Sequence, residues 1–130
     1  MRYMALAMPV VPITVAEVDP FDASARRAGL SEAARTELVE FLARNPEAGD
    51  LIQGTGGLRK LRWAGKGKGK RGGYRAVYYY FTEAVPIYLL AIYAKNQQID
   101  LNAVQKARLT ELAEQLKASA RKIVRLRIKR

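Results

Sequence analysis

The chain has 130 residues, with 23 Lys or Arg against 12 Asp or Glu and a formal net charge of +11. It contains no cysteine and no histidine, which excludes disulfides, thiolate nucleophiles, imidazole acid–base catalysis and the usual zinc ligands together. The length fits a single domain with a real core.

The charge is uneven. Residues 1–57 hold five cations and eight anions, residues 58–75 eight cations and no anion, and residues 76–130 ten cations and four anions. Such asymmetry points to nucleic acid or an anionic membrane surface. No long basic amphipathic helix with a bulky apolar face supports the membrane. Met4 to Val15 is apolar, but Pro9 and Pro12 interrupt it behind a single Arg2, which makes a poor secretory signal. Val77 to Tyr93 contains Glu83 and Pro86 and is no membrane span. The expectation is a cytoplasmic protein, and the absence of cysteine is compatible with a reducing compartment.

In chain order, residues 1–12 read as a lead-in. Ile13 to Val18 is β-branched and apolar and predicts a first strand. Asp19 as N-cap and Pro20 as first helical residue open a short helix, with Asp22 at its positive end and Gly29 as its stop. Ser31 caps a second helix to Arg44, whose Ala34, Leu38, Phe41 and Leu42 form one apolar face before Asn45-Pro46 ends it. A turn-rich link with Gly49, Gly54, Gly56 and Gly57 follows. Three strand-like runs come next: Leu58–Ala64, Gly73–Phe81 and Pro86–Tyr93, the last apolar throughout, as in a strand covered on both faces. Lys95 to Gln98 turns the chain. Asp100 is the expected cap of a final helix carrying Leu101, Val104, Leu109, Leu112 and Leu116. From Ile123 the tail alternates apolar and basic residues. The order β-α-α-β-β-β-α predicts an α+β fold, a small, mainly antiparallel four-stranded sheet with two N-terminal helices and a C-terminal helix against one face. The other face would hold part of the cationic set.

The stretch from Leu58 to Phe81 organises the rest. Arg59, Lys60, Arg62, Lys66, Lys68, Lys70, Arg71 and Arg75 repel one another on one hairpin, and a polyanion that neutralises them gives a reason to gather them. Gly67 to Gly72 satisfies G-x-G-x-x-G as a string, but a strand follows where a dinucleotide site needs a helix. Its better reading is a cationic loop, with Lys66, Lys68, Lys70 and Arg71 as RNA-binding residues. Alternation puts Lys60 and Arg62 on one strand face and Leu61 and Trp63 on the other, with Arg75 on the neighbouring strand. Tyr78, Tyr79 and Tyr80 are core and strand formers, and one facing outward could stack a base; Tyr78 is the candidate. Glu83 is the only carboxylate between Gly57 and Asp100. A two-metal nuclease needs several converging acids, so neither metal nor other cofactor is expected.

With these residues in view, the chain resembles the RelE/ParE superfamily of type II toxins and, within it, the HigB-like RelE branch. The resemblance runs from about Ile13 to Leu116. It is strongest in NPEAGDLIQGTGGLRKLRWAGKGKGKRGGYRAVYYY and IYLLAIYAKNQQIDL. It implies a RelE-like domain over residues 13–121 with a basic tail at 122–130. It also implies metal-independent cleavage of mRNA in the ribosomal A site and a cognate antitoxin of helix-turn-helix type. Lys60 and Arg62 match the family's basic positions on the second strand, and Arg75 matches the G-Y-R arginine that contacts the scissile phosphate. Lys95 falls near the basic residue after the fourth strand. The family's catalytic tyrosine lies near the C-terminus, and no tyrosine follows Tyr93 here. Lys60, Arg62, Arg75 and Lys95 are thus the expected catalytic set, the arginines on phosphate and a lysine on the 2′-hydroxyl proton. Two alternatives stand beside this reading: a ParE-like toxin that inhibits gyrase by binding, and a non-catalytic nucleic-acid-binding module.

Overall fold

The computed structural model describes residues 13–64, 73–82, 85–98 and 100–128. Its elements are β1 (Val15–Glu17), α1 (Asp19–Ala28), α2 (Glu32–Arg44), β2 (Asp50–Leu51), β3 (Leu58–Trp63), β4 (Tyr74–Tyr79), β5 (Ile87–Ala94) and α3 (Ala103–Ile128). The strands form one sheet in the order β1-β5-β4-β3-β2. It is antiparallel except for the parallel β1–β5 pair. The α+β architecture is as expected, with one strand more than the four read from sequence. Asp50 and Leu51 pair with Lys60 and Arg59, and a two-residue edge strand inside a glycine-rich link has no periodicity to reveal it.

Local chemistry sets the helix ends. Val18, not Asp19, is the N-cap of α1 and makes no side-chain cap bond, so Asp19 and Pro20 take the first helical positions. Neither has an intrahelical N–H bond to lose there. Gly29 closes α1 at φ 72°, in the left-handed region that glycine enters without a Cβ clash. Ser31 Oγ accepts the Ala34 N–H at 3.1 Å and starts α2. Arg35 of α2 donates to Glu17 of β1 at 3.0 and 2.8 Å and to Asp22 of α1 at 2.9 Å. That fork joins three elements, and its bond to Asp22 holds this carboxyl below the ordinary carboxylate range.

The helices cover both sheet faces, which corrects the expectation of one. Phe21, Ala25, Leu38 and Leu42 of α1 and α2 pack on Leu61, Tyr74, Ala76, Tyr78, Ile87, Leu89 and Ile92. The opposite face buries Leu58, Val77, Tyr79, Leu90 and Tyr93 under Leu109 and Ala113 of α3. Alternation along β4 is the cause: Val77 and Tyr79 point away from α1 and α2, and such side chains need a second cover.

One irregularity matters for the site. Val77 pairs with Ala91 but Tyr78 with Leu89, so β5 holds one extra residue, Leu90, opposite β4. Strict alternation would put Tyr88 and Tyr93 on opposite faces. The bulge changes the parity, so that both lie on the α3 side.

Candidate nucleic-acid interface

On the α3 side the sheet changes character along its strands. At one end Leu58 lies opposite Tyr79; next comes Lys60 opposite Val77; then Arg62 opposite Arg75, with Tyr93 beyond Arg75 on β5. Arg62, Arg75 and Tyr93 form a row across three strands, and Lys60 precedes Arg62 by one step of the pleat. Cross-strand neighbours stand about 5 Å apart, so two guanidinium side chains start side by side. Like charges in that position destabilise a sheet. Among the described residues neither arginine has a carboxylate within ion-pair reach. Arg62 is exposed and Arg75 half-buried. Arg75 Nη1 donates to its neighbour's carbonyl, Tyr74 O, at 3.3 Å.

Lys60 is different. Its Nζ donates to Asp100 Oδ1 at 3.2 Å. The same oxygen accepts the Tyr93 hydroxyl at 3.2 Å and the Leu101 N–H at 2.8 Å. These donors, the backbone N–H first, hold the Asp100 carboxyl below its ordinary range. Burial, followed by the Asp100 charge, pushes the Tyr93 phenol up to about 12. It is therefore neutral at physiological pH and acts as a donor. Asp100 is not the cap of α3. Asn102 Oδ1 accepts the Gln105 N–H at 2.8 Å and Gln105 Oε1 accepts the Asn102 N–H at 3.0 Å, a reciprocal capping box.

Lys95 sits in the turn after β5, exposed, with its backbone N–H on Gly73 O at 3.0 Å. That bond ties the turn to the start of β4, next to Arg75. A cavity of about 770 Å³ between α1, the end of β5 and α3 shares the Tyr93 and Gln98 walls with this region.

The structure thus brings Lys60, Arg62 and Arg75 onto one face, with Lys95 at its end. Lys66, Lys68, Lys70 and Arg71 lie outside the described residues. Tyr78 is corrected: it is 0% exposed, on the α1/α2 side. Its hydroxyl donates to Pro46 O and accepts from Gly49 N, both at 2.8 Å. A ring enclosed in the core has no face to offer a base. Alternation from Arg75 already puts Tyr78 on the opposite face, a signal that the sequence contained. Tyr93 and Asp100 were missed as site residues. The bulge that turns Tyr93 to this side is invisible in the continuously apolar PIYLLAIY, and Asp100 looked like an ordinary helix cap.

The face can bind polyanions. Two adjacent guanidiniums present paired donors that match the oxygens of a phosphodiester, and Lys60 adds a third cation one step away. Among the described residues no helix is long and apolar enough to cross a membrane. A family model described as the RelE toxin of the RelE/RelB toxin–antitoxin system matches residues 15–129, which span every described element. The chain belongs to the RelE toxin family.

Proposed function

We propose that the chain is a ribosome-dependent endoribonuclease of the HigB-like RelE branch, cutting mRNA under translation and silenced by a cognate antitoxin. The observation that supports this most is the Arg62–Arg75 cross-strand pair, set beside Lys60 and, among the described residues, without a carboxylate partner. A fold retains such a repulsive pair when an anion relieves it.

With no histidine in the chain, the chemistry falls to the RNA and to cations. The 2′-oxygen attacks the adjacent phosphorus, the bond from phosphorus to the 5′-oxygen breaks, and the products are a 2′,3′-cyclic phosphate and a 5′-hydroxyl. Arg62 and Arg75 hold the non-bridging oxygens as charge builds in the phosphorane. Lys60 and Lys95 are the candidates to take the 2′-hydroxyl proton and to return one to the departing 5′-oxygen. Lys66, Lys68, Lys70 and Arg71 bind the RNA or ribosomal backbone without reading sequence.

In vitro translation followed by primer extension tests the reading. The expected result is cuts at fixed codon positions on translated messages. A ParE-like toxin would instead stop gyrase supercoiling, and a passive RNA binder would slow translation without cutting. Either of those outcomes overturns the nuclease reading.

A further inference from the structure

The placement of Asp100 is at odds with a face built to bind RNA. A carboxylate stands among the cations, its side chain 62% exposed, and repels the phosphates the face would receive. The helix does not require it, because Asn102 and Gln105 already cap α3.

The clue is which donors meet its Oδ1. Lys60 Nζ arrives from β3 at 3.2 Å, the Tyr93 hydroxyl from β5 at 3.2 Å, and the Leu101 N–H from the approach to α3 at 2.8 Å. An ammonium, a phenol and a backbone amide from three parts of the chain converge on one anionic oxygen. A phosphate oxygen takes the same kinds of donor at the same distances. We propose that Lys60 Nζ, Tyr93 Oη and the Leu101 N–H form a second phosphate subsite, which the Asp100 carboxylate fills in the free protein and an RNA phosphate takes over on binding.

The position suits an RNA strand. Residues two apart on a strand are about 6.8 Å apart along it, near the spacing of neighbouring phosphates along a nucleotide chain. Lys60 lies two residues from Arg62, and Tyr93 lies directly opposite Arg75. One phosphate held by the arginine pair therefore brings a neighbouring one to the Asp100 position. The latch is releasable: an exposed ion pair is weak, and the carboxylate can swing to solvent without opening the core. Gln98 Nε2 on the Asp100 carbonyl at 2.8 Å keeps the backbone, and with it the Leu101 N–H, in place. Asp50 lies across from Lys60 on the edge strand, but no ion pair joins them.

The inference depends on this face being the RNA-binding one, and its test requires neither ribosome nor cleavage. The full chain is titrated against a fluorescein-labelled, 2′-O-methylated single-stranded RNA at a series of salt concentrations, with thermal unfolding measured alongside. Asp100→Asn keeps the oxygen and removes the charge. The expected result is tightening of about fivefold at low salt, the worth of one unit charge at contact range in water. The salt slope should steepen by up to about 0.7, because the phosphate at this subsite no longer shares its cation with a carboxylate. Adding Lys60→Met should remove both gains. Inorganic phosphate should compete better against RNA on the Asp100→Asn protein than on the wild type. Unchanged or weaker RNA binding by Asp100→Asn, with or without a lower melting temperature, would make Asp100 a structural strut and overturn the proposal. If translation assays show no cuts while Asp100→Asn still tightens RNA, the nuclease reading fails and the subsite stands.

Discussion

Tyr78→Phe separates a core role from an RNA-binding role at one atom. The Tyr78 hydroxyl is the donor to Pro46 O and the acceptor for Gly49 N–H. It thereby staples the link after α2 to the C-terminal end of β4. Gly49 is buried, and a Cβ there would stand 2.8 Å from Tyr78 Cε1 and 3.0 Å from Lys60 O, so the backbone has closed onto the ring. Phenylalanine fills the same space but leaves the Gly49 N–H without a partner away from water. An orphaned buried donor costs about 1–3 kcal/mol; with the weakened Pro46 carbonyl, about 2 kcal/mol is expected. For a domain of this size that lowers the melting temperature by about 8 °C. Circular-dichroism melts should show this drop while RNA affinity, measured well below the transition, stays at the wild-type value. An unshifted melt with weakened RNA binding would refute the argument and return Tyr78 to the RNA-binding surface.

Arg75→Ala should lower single-turnover cleavage about a hundredfold, the effect of losing about 3 kcal/mol of transition-state stabilisation. Arg75→Lys should restore little of it, since an ammonium cannot make the paired bonds. The melting temperature should barely move in either variant, and a large drop would show the guanidinium to be structural. Stability should also form a dome in pH. Tyr78, Tyr79 and Tyr93 are pushed up from 10 by burial, Tyr93 to about 12. They hold their protons in the folded state where the unfolded chain loses them, so their contribution is full below pH 10 and is lost as pH rises toward about 12. Asp22 and Asp100 are held below 3.8, so their contribution is full above about pH 5 and is lost as pH falls through the lower folded values. Urea unfolding across this range checks both limbs, and a flat alkaline limb would contradict the burial of the three phenols.

Much of this fold was legible because its signals are local. Gly29, Ser31 and Asn45-Pro46 punctuate the helices where a left-handed residue, a hydroxyl acceptor and a missing N–H must. Alternation alone set Lys60 and Arg62 against Leu61 and Trp63. What escaped notice depends on distant partners. The parity change at Leu90 arises from the register with β4, and an all-apolar strand has no pattern to break. α3 lies on the second face because Val77, Tyr79 and Leu90 need cover there, a demand that appears only once the register is known. Asp100 and Asn102 both look like caps, and the reciprocal bond from Gln105 decides between them.

The parallel pairing of Val15 with Ile87 has a consequence for how the molecule comes into being. β1 and the two helices after it leave the ribosome early, yet their sheet is completed only when β5 appears a little more than half a chain length later. Until then Phe21, Leu38 and Leu42 have only the β3–β4 part of their floor, Leu61, Tyr74, Ala76 and Tyr78, and lack Ile87, Leu89 and Ile92. The β3–β4 hairpin can close locally, but the first strand must wait for the last. Such non-local closure favours folding in milliseconds to seconds, about the slow end for small domains. The cationic row forms with the hairpin, whereas the Tyr93 and Asp100 corner forms only when β5 and α3 dock. A nascent chain thus displays its charge before it completes its site.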